Sequence, residues 1–553
     1  PALLRPGVGV VISPLIALME DQVLALRELG VAAAVLNSTL DFDEARRIED
    51  EVRHGALDLL YIAPERLMQE RTLALLKESP LALIAIDEAH CVSQWGHDFR
   101  PEYRRLDRLA AQFPNVPRIA MTATADAQTR RDIVRHLKLE DGRTFVASFD
   151  RPNIRYQVAG IGAGRPDLLR FIEERHAGEA GIVYCLSRKQ TEETAEWLRG
   201  KGIEALAYHA GLSARERTVR QKRFLLEDGV VMVATIAFGM GIDKPDVRFV
   251  AHLALPPAIE AYYQETGRAG RDGAPAEAWL SYSMRDVVLR RRFIDEGGAP
   301  EEHRRVQRRK LDEMVGYVEA VTCRRQLLLA YFGEAMPQPC GNCDNCANPP
   351  EQADMTEAAQ KALSNVWRTG QRFGAAHLVD VLLGKTTDKV SRFGHDRVST
   401  FGIGKELSAG QWRDVYRQLV IGGYLDVDEE RFGALRLTER ARPLLRGEES
   451  FFMRHRPKPR REAKPRKVKV ADADMPPESQ ALFEALRAWR KEEAAERNVP
   501  PYVIFHDSAL RGIATLRPKT LQALATVDGV GEAKLNRYGE EVLLIVARHE
   551  ASS

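Results

Sequence analysis

The run Leu81-Ala82-Leu83-Ile84-Ala85-Ile86-Asp87-Glu88-Ala89-His90 decides the fold. Its first six residues are apolar and β-prone, the pattern of a parallel strand buried on both faces. Two carboxylates leaving the C-terminal end of such a strand stand where open α/β sheets bind their ligands. Asp87 there can hold a Mg²⁺ ion, and Glu88 can polarise a water against a terminal phosphate. Directly behind follows Cys91-Val92-Ser93-Gln94-Trp95-Gly96-His97-Asp98-Phe99-Arg100-Pro101-Glu102-Tyr103-Arg104-Arg105. A loop so rich in aromatic and basic groups is costly to expose unless it binds something, and stacked nucleobases suit it. Taken singly, an acidic pair also reads as a solvated turn, and an aromatic loop as packing or a protein-binding patch. In succession they describe a motor that couples nucleoside-triphosphate hydrolysis to nucleic acid.

On these residues the chain resembles the RecQ family of superfamily 2 DNA helicases, whose DEAH box is followed by an aromatic-rich loop much like CVSQWGHDFRPEY. The resemblance implies catalytic roles for Asp87, Glu88 and His90, and contacts to DNA from Ser93, Gln94, Trp95, His97, Phe99 and Arg100. Val8 to Gln22 reads as a strand and a helix start and is similar to motif Ia, a contact to the DNA backbone. Ala120-Met121-Thr122-Ala123-Thr124-Ala125 reads as the end of another buried strand and resembles motif III. Its hydroxyls suit a hydrogen-bonded link between the nucleotide and DNA sides, although such a stretch by itself reads as ordinary strand packing.

A second parallel α/β unit is expected from about Asp150, with strands at Gly181 to Leu186 and Val230 to Thr235. Ala237-Phe238-Gly239-Met240-Gly241-Ile242-Asp243-Lys244-Pro245 resembles motif V, and Tyr263-Gln264-Glu265-Thr266-Gly267-Arg268-Ala269-Gly270-Arg271-Asp272-Gly273 resembles motif VI. The implied nucleotide-binding set is Asp87, Glu88, Gly241, Asp243, Gln264, Arg268 and Arg271. A guanidinium reaching across from the second lobe neutralises charge on the transferred phosphoryl group only when the lobes close. Hydrolysis then reports on domain position, as a translocating motor requires. Arg268 and Arg271 share that role.

A Gly-rich phosphate loop of the form G-x-x-x-x-G-K-[S/T] is missing from the chain. Gly384-Lys385-Thr386-Thr387 is a decoy, because Val379 stands where the first glycine belongs. Gly404-Lys405 is followed by Glu406, which would repel phosphate. In the family this loop lies just upstream of motif Ia, and the chain starts at Pro1-Ala2-Leu3-Leu4 without Met. A fragment lacking the phosphate cradle and adenine-binding residues, inactive as written, is therefore expected.

The length of 553 residues suits several domains. A hydrophobic content of 44% and a charged content of 29% suit a soluble globular protein, and no apolar run is long enough to span a membrane. Of six cysteines, Cys323, Cys340, Cys343 and Cys346 follow C-x16-C-x2-C-x2-C. Their thiolates can converge on one tetrahedral Zn²⁺, Cys323 approaching from a preceding helix, and four such ligands make the site structural. The same spacing matches the RecQ zinc module. Cys91 and Cys185 read as part-buried thiols.

From about 355 to 450, an amphipathic stretch Gln411 to Tyr424 precedes Leu425-Asp426-Val427 and Ala434-Leu435-Arg436-Leu437, which flank a polar turn. Helices plus a short hairpin suggest a winged helix gripping duplex DNA through phosphates, or docking a protein. Residues 454–469 hold nine Lys/Arg against one Glu, with three prolines, and read as an extended DNA-attracting tether. The net charge of +2 hides this concentration, since the remainder is net negative. The last segment reads as helical with one turn, Val527-Asp528-Gly529-Val530-Gly531, and resembles the family's HRDC domain.

The expected fold class is α/β: two RecA-like parallel-sheet lobes, then a zinc module, a winged helix and a small helical C-terminal domain. The expected boundaries are 1–149 and 150–300 for the lobes and 301–352 for the zinc module. Residues 353–450 form the winged helix (RQC), 451–474 the basic linker and 475–553 the HRDC domain. By resemblance the intact enzyme is an ATP- and Mg²⁺-dependent helicase. It moves 3′ to 5′ on single-stranded DNA and splits duplex and branched DNA in recombination and repair. A monomer in the cytoplasm, associated with the nucleoid and meeting a single-strand-binding protein, is expected on the same ground. The competing reading is a non-catalytic DNA-binding scaffold. An RNA helicase is disfavoured, because the zinc and winged-helix modules look like the DNA branch.

Overall fold

A computed structural model describes residues 1–37, 40–93, 100–159, 163–239, 243–350, 352–428, 434–454, 477–497 and 499–552. The first lobe is built on five strands, β1 (Val8–Ile12), β2 (Ala33–Leu36), β3 (Leu59–Ile62), β4 (Leu81–Ile86) and β5 (Arg118–Ala120), in the order β2-β3-β1-β4-β5. All four pairings are parallel. The apolar run 81–86 is the fourth strand, and Ile12 pairs with Ile86, so β1 and β4 end side by side. The chain leaves β1 toward one edge and β4 toward the other, which makes their C-terminal ends the topological switch point. β5, expected to be buried, is instead a three-residue edge strand with Ile119 42% exposed. Among the described residues it has a neighbour on one side only.

The second lobe carries β6 (Ile154–Val158), β7 (Gly181–Tyr184), β8 (Ala205–Tyr208), β9 (Val231–Ala234), β10 (Phe249–His252) and β11 (Ala276–Leu280). Their order is β6-β11-β10-β7-β9-β8, again wholly parallel, with the switch between β7 and β10. Gly181 lies under the ring of Phe249 on β10, where a Cβ would sit 2.1 Å from the ring. That close approach is why glycine opens β7.

Two helices, Glu301–Glu319 and Arg324–Tyr331, lead into the cysteine loop. Arg324 is fully buried and bonds Asp344 (2.8 Å) and the Tyr317 carbonyl (2.7 Å), while Asp344 accepts the Val158 N–H at the end of β6 (3.0 Å). Arg325 donates to the Ile154 carbonyl (2.8 Å), so adjacent arginines fasten this module to the edge of the second sheet. The next unit packs helices Thr356–Arg368, Ala375–Leu382 and Ala409–Ile421 around Trp412 and Tyr416. Its hairpin pairs β13 (Leu425–Asp428) with β14 (Ala434–Leu437), as a winged helix requires. The amphipathic helix stops at Ile421, three residues short of the expected Tyr424, because Gly422-Gly423 follows and Gly423 takes a left-handed φ of 72°. A second pair, β12 (Gln352–Asp354) with β15 (Phe452–Arg454), ties the ends of the unit together. It takes in the first residues assigned to the linker. Helices Pro477–Arg497, Asp507–Leu516 and Glu532–Ser552 surround a separate C-terminal core. Among the described residues no helix is long and apolar enough to cross a membrane.

Candidate active site and nucleic-acid interface

The acidic pair stands at the first switch point. Asp87 continues β4, donating its N–H to the Ile12 carbonyl (2.9 Å). The chain then turns through Glu88 at φ 48°, ψ 42°, a left-handed conformation that a non-glycine residue adopts only when its surroundings hold it there. Burial, and next the neighbouring Glu88 charge, push the Asp87 carboxyl above the ordinary aspartate range. Two crowded carboxylates at a part-buried turn fit a divalent cation, which would relieve both effects. His90 is fully buried, with Nδ1 2.9 Å from Thr122 Oγ1 and 3.3 Å from Glu88 Oε2. The hydroxyl of the motif III stretch thus meets the acidic turn through one imidazole.

The chain on either side of residues 94–99 is fixed at this turn. Ser93, expected to touch DNA, is fully buried and gives its hydroxyl to Asp132 (2.6 Å), which anchors the start of the loop instead. Arg100 closes the base, its N–H bonded to the Cys91 carbonyl (2.9 Å) and its guanidinium to the Pro14 carbonyl beyond β1 (3.2 Å). Gln94, Trp95, His97 and Phe99 lie outside the described residues, as does Gly241 of motif V. Cys91 and Cys185 are more deeply buried than expected, and burial pushes the Cys185 thiol up to about 12.

The second switch point holds the arginines. Helix Ile259–Thr266, which carries Gln264, ends in a turn through Gly267 to Gly273. Gly270 has φ 57°, and a Cβ there would meet Asn153 Nδ2 at 2.5 Å, so this glycine is required. Arg151 donates to the carbonyls of Gly267 (3.0 Å) and Ala269 (2.9 Å), and Asn153 to that of Gly270 (2.8 Å). Sequence reasoning missed both, since a polar run ahead of a strand carries no signal of a contact more than a hundred residues away. Arg268 is 3% exposed, with Nε lacking a hydrogen-bond partner, beside the Tyr184 hydroxyl. Arg271 is half-exposed and pairs with Asp243 Oδ1 at 2.5 Å. Across the cleft, Asp21 is pushed up to about 6 by burial and then by Glu20 and Asp243.

The C-terminal domain touches both lobes here. Arg537 bonds Glu28 (2.6 Å) on the first lobe, and Arg487 lies 3.6 Å from Asp228 on the second. Tyr502 is largely buried among the charges of Asp21, Asp243, Asp246 and Arg271. Nothing in its sequence distinguished this surface.

The cysteine cluster is complete, the Sγ atoms of Cys323, Cys340, Cys343 and Cys346 lying within 4.8 Å of one another. The N–H groups of Cys340 and Cys343 point at Cys323 Sγ (3.3 Å) and Cys340 Sγ (3.3 Å), as thiolates favour. Four converging sulfurs with amide donors fit Zn²⁺. Cys323 caps the start of helix Arg324–Tyr331, which precedes the cysteine loop. Gly384-Lys385 ends a helix, with Lys385 3.3 Å from Asp380, and no strand leads into it.

Five family models cover most of the chain: DEAD/DEAH box helicase over residues 2–133, helicase conserved C-terminal domain over 165–273, RecQ zinc-binding over 284–347, RQC domain over 349–462 and HRDC domain over 479–546. The chain is 43% identical to the ATP-dependent DNA helicase RecQ of Pasteurella multocida, over 100% of this chain and 86% of that one. It is 42% identical to the protein of the same name from Haemophilus influenzae, over 100% and 88%. For that of Bacillus subtilis the identity is 40%, over 98% and 89%. With two parallel-sheet lobes, a four-cysteine zinc module, a winged helix and a helical C-terminal domain in this order, the chain belongs to the RecQ family of ATP-dependent DNA helicases.

Proposed function

We propose that the protein works as a 3′-to-5′ helicase that opens duplex and branched DNA in recombination and repair. The observation that carries this reading is the pairing of two switch points in one chain, carboxylates at one and arginines at the other. Asp87 holds Mg²⁺, which when bound neutralises charge on the phosphates. Glu88 orients and deprotonates the attacking water, and His90 relays its position to Thr122. Arg268 and Arg271 share the finger role on the transferred phosphoryl group, with Gly241, Asp243 and Gln264 completing the nucleotide site. Gln94, Trp95, His97, Phe99 and Arg100 grip single-stranded DNA, with Ser93 as their anchor.

The lobes span 1–149 and 150–300, the zinc module 301–352, the winged helix 353–450, the basic linker 451–474 and the HRDC domain 475–553. The protein acts as a monomer on cytoplasmic, nucleoid-associated DNA and meets a single-strand-binding protein there. Because residues 1–553 contain no phosphate loop, hydrolysis is expected only once that loop is supplied.

ATP turnover with and without single-stranded DNA tests this, comparing the chain with one extended upstream through a phosphate loop. DNA-stimulated turnover in the extended protein and none in the shorter one is expected. Silence from both would support a DNA-binding scaffold.

A further inference from the structure

Four non-glycine residues among those described have a positive φ: Glu88, Lys138, Gln371 and Arg517. The last three lie just past helix ends, at or near the positions where a left-handed residue commonly terminates a helix. Glu88 follows a strand and has no such excuse. Its φ is set by the plane of the peptide joining it to Asp87. That peptide is gripped at both ends. The Glu88 N–H is bonded to Asp87 Oδ1 (2.9 Å), and the Asp87 carbonyl accepts the Tyr103 hydroxyl (2.9 Å).

The two grips differ in kind. The first belongs to a carboxylate that the hydrolytic reaction itself engages. The second comes from a fully buried phenol outside that chemistry. Tyr103 lies on the short helix Pro101–Arg104, one turn beyond Arg100, whose carbonyl accepts the Tyr103 N–H (3.0 Å). Arg100 in turn closes the base of the aromatic segment on Cys91 and reaches the Pro14 carbonyl. One turn therefore joins Arg100 at the end of the aromatic segment, Pro14 within motif Ia and the peptide that orients Glu88.

We propose that Tyr103 is a positioning residue of hydrolysis, its hydroxyl holding the Asp87–Glu88 peptide so that Glu88 keeps its left-handed turn. This inference rests on the proposed ATPase reading. With the hydroxyl gone, the part-buried Asp87 carbonyl loses its protein partner, and the peptide is free to rotate toward relaxed backbone.

Tyr103→Phe deletes the hydroxyl and keeps the ring. In the chain extended through a phosphate loop, kcat of DNA-stimulated ATP hydrolysis is expected to fall about tenfold. The KM for ATP and the affinity for single-stranded DNA should stay within about twofold. Leu109→Ala, in the same apolar core, serves as a control that lowers thermal stability without touching the peptide. Its kcat should hold, and a parallel loss of kcat in both variants would reduce Tyr103 to a packing role. A kcat within about twofold of the unsubstituted protein also overturns the proposal. Amide exchange in the 553-residue chain is a second readout, independent of turnover. Glu88 and Ala89 should exchange about tenfold faster in Tyr103→Phe, and unchanged protection would refute the grip even if no form of the protein hydrolyses ATP.

Discussion

At the first switch point the acidic turn is held by the backbone: Asp87 is laddered to Ile12, Ala89 to Met121, and the peptide between Asp87 and Glu88 is bonded at both ends. At the second, the turn itself is equally firm through Arg151 and Asn153, yet Arg271 projects from it into a half-exposed ion pair with Asp243. The acids are fixed at the cost of backbone strain, and the arginine is parked on a partner it can leave. The difference teaches where a nucleotide-driven switch belongs. Displacing Glu88 means breaking part-buried hydrogen bonds on both sides of one peptide, whereas an exposed ion pair is worth about 0–1 kcal/mol and can be exchanged for a phosphate. On the proposed reading, the moving part lies in the second lobe.

The largest effect that sharpens this contrast separates the two arginines. In the protein supplied with a phosphate loop, Arg271→Ala should cut ATP turnover about a thousandfold or more with little change in thermal denaturation. Arg268→Ala should also cut turnover, and deleting its buried side chain should lower unfolding stability by about 2 kcal/mol. Near-normal turnover of Arg271→Ala would place the finger on Arg268 alone and remove the releasable member from the comparison.

A smaller effect tests the acid crowd between the lobes. The Asp21 pKa is raised to about 6 from 3.8, by burial first and then by Glu20 and Asp243, and its Oδ2 is buried without a partner. A raised carboxyl binds its proton more tightly in the folded state. Its contribution is therefore most favourable below pH 3.8 and is lost as pH rises through about 6. Asp21→Asn should stabilise the protein by about 1–2 kcal/mol at pH 7.5. Urea denaturation should show the gain shrinking as pH falls from 6 toward 4. A gain that is independent of pH would assign the effect to packing rather than charge.

The smallest effect is expected from Asp243→Asn. Releasing Arg271 should change unfolding stability by about 0.5 kcal/mol or less in the same denaturation measurement. A loss beyond about 1.5 kcal/mol would show that the pair is structural, and the contrast between the two turns would fail.

Much of this architecture was legible along the chain. Unbroken apolar runs ending in chemistry-bearing residues, such as 81–88, announce parallel strands because both faces of such a strand are buried. Cysteines two residues apart announce a metal cage because ligand spacing is local. The frame around Gly267 to Arg271 was legible through its resemblance to motif VI, and the structure adds that Gly270 takes a positive φ between the two arginines. Less visible was what depends on neighbours distant in sequence. β5 reads as a buried strand and is an edge among the described residues, Ser93 reads as a DNA contact and turns inward to Asp132, and Arg151, which carried no signal in the sequence, cradles the arginine turn.

By itself, then, the sequence determined the acids, arginines and cysteines available and the strands that carry them, because these follow from local periodicity and spacing, while the kinds of module were legible through the family resemblance. Tertiary structure alone decided which strands lie side by side at the switch points, that Tyr103 grips the peptide before Glu88, that Arg324 and Arg325 bind the zinc module to β6, and that the C-terminal domain meets both lobes. Those contacts join residues far apart in the chain, and their energies come from burial and hydrogen-bond geometry that exist only once the sheets have closed.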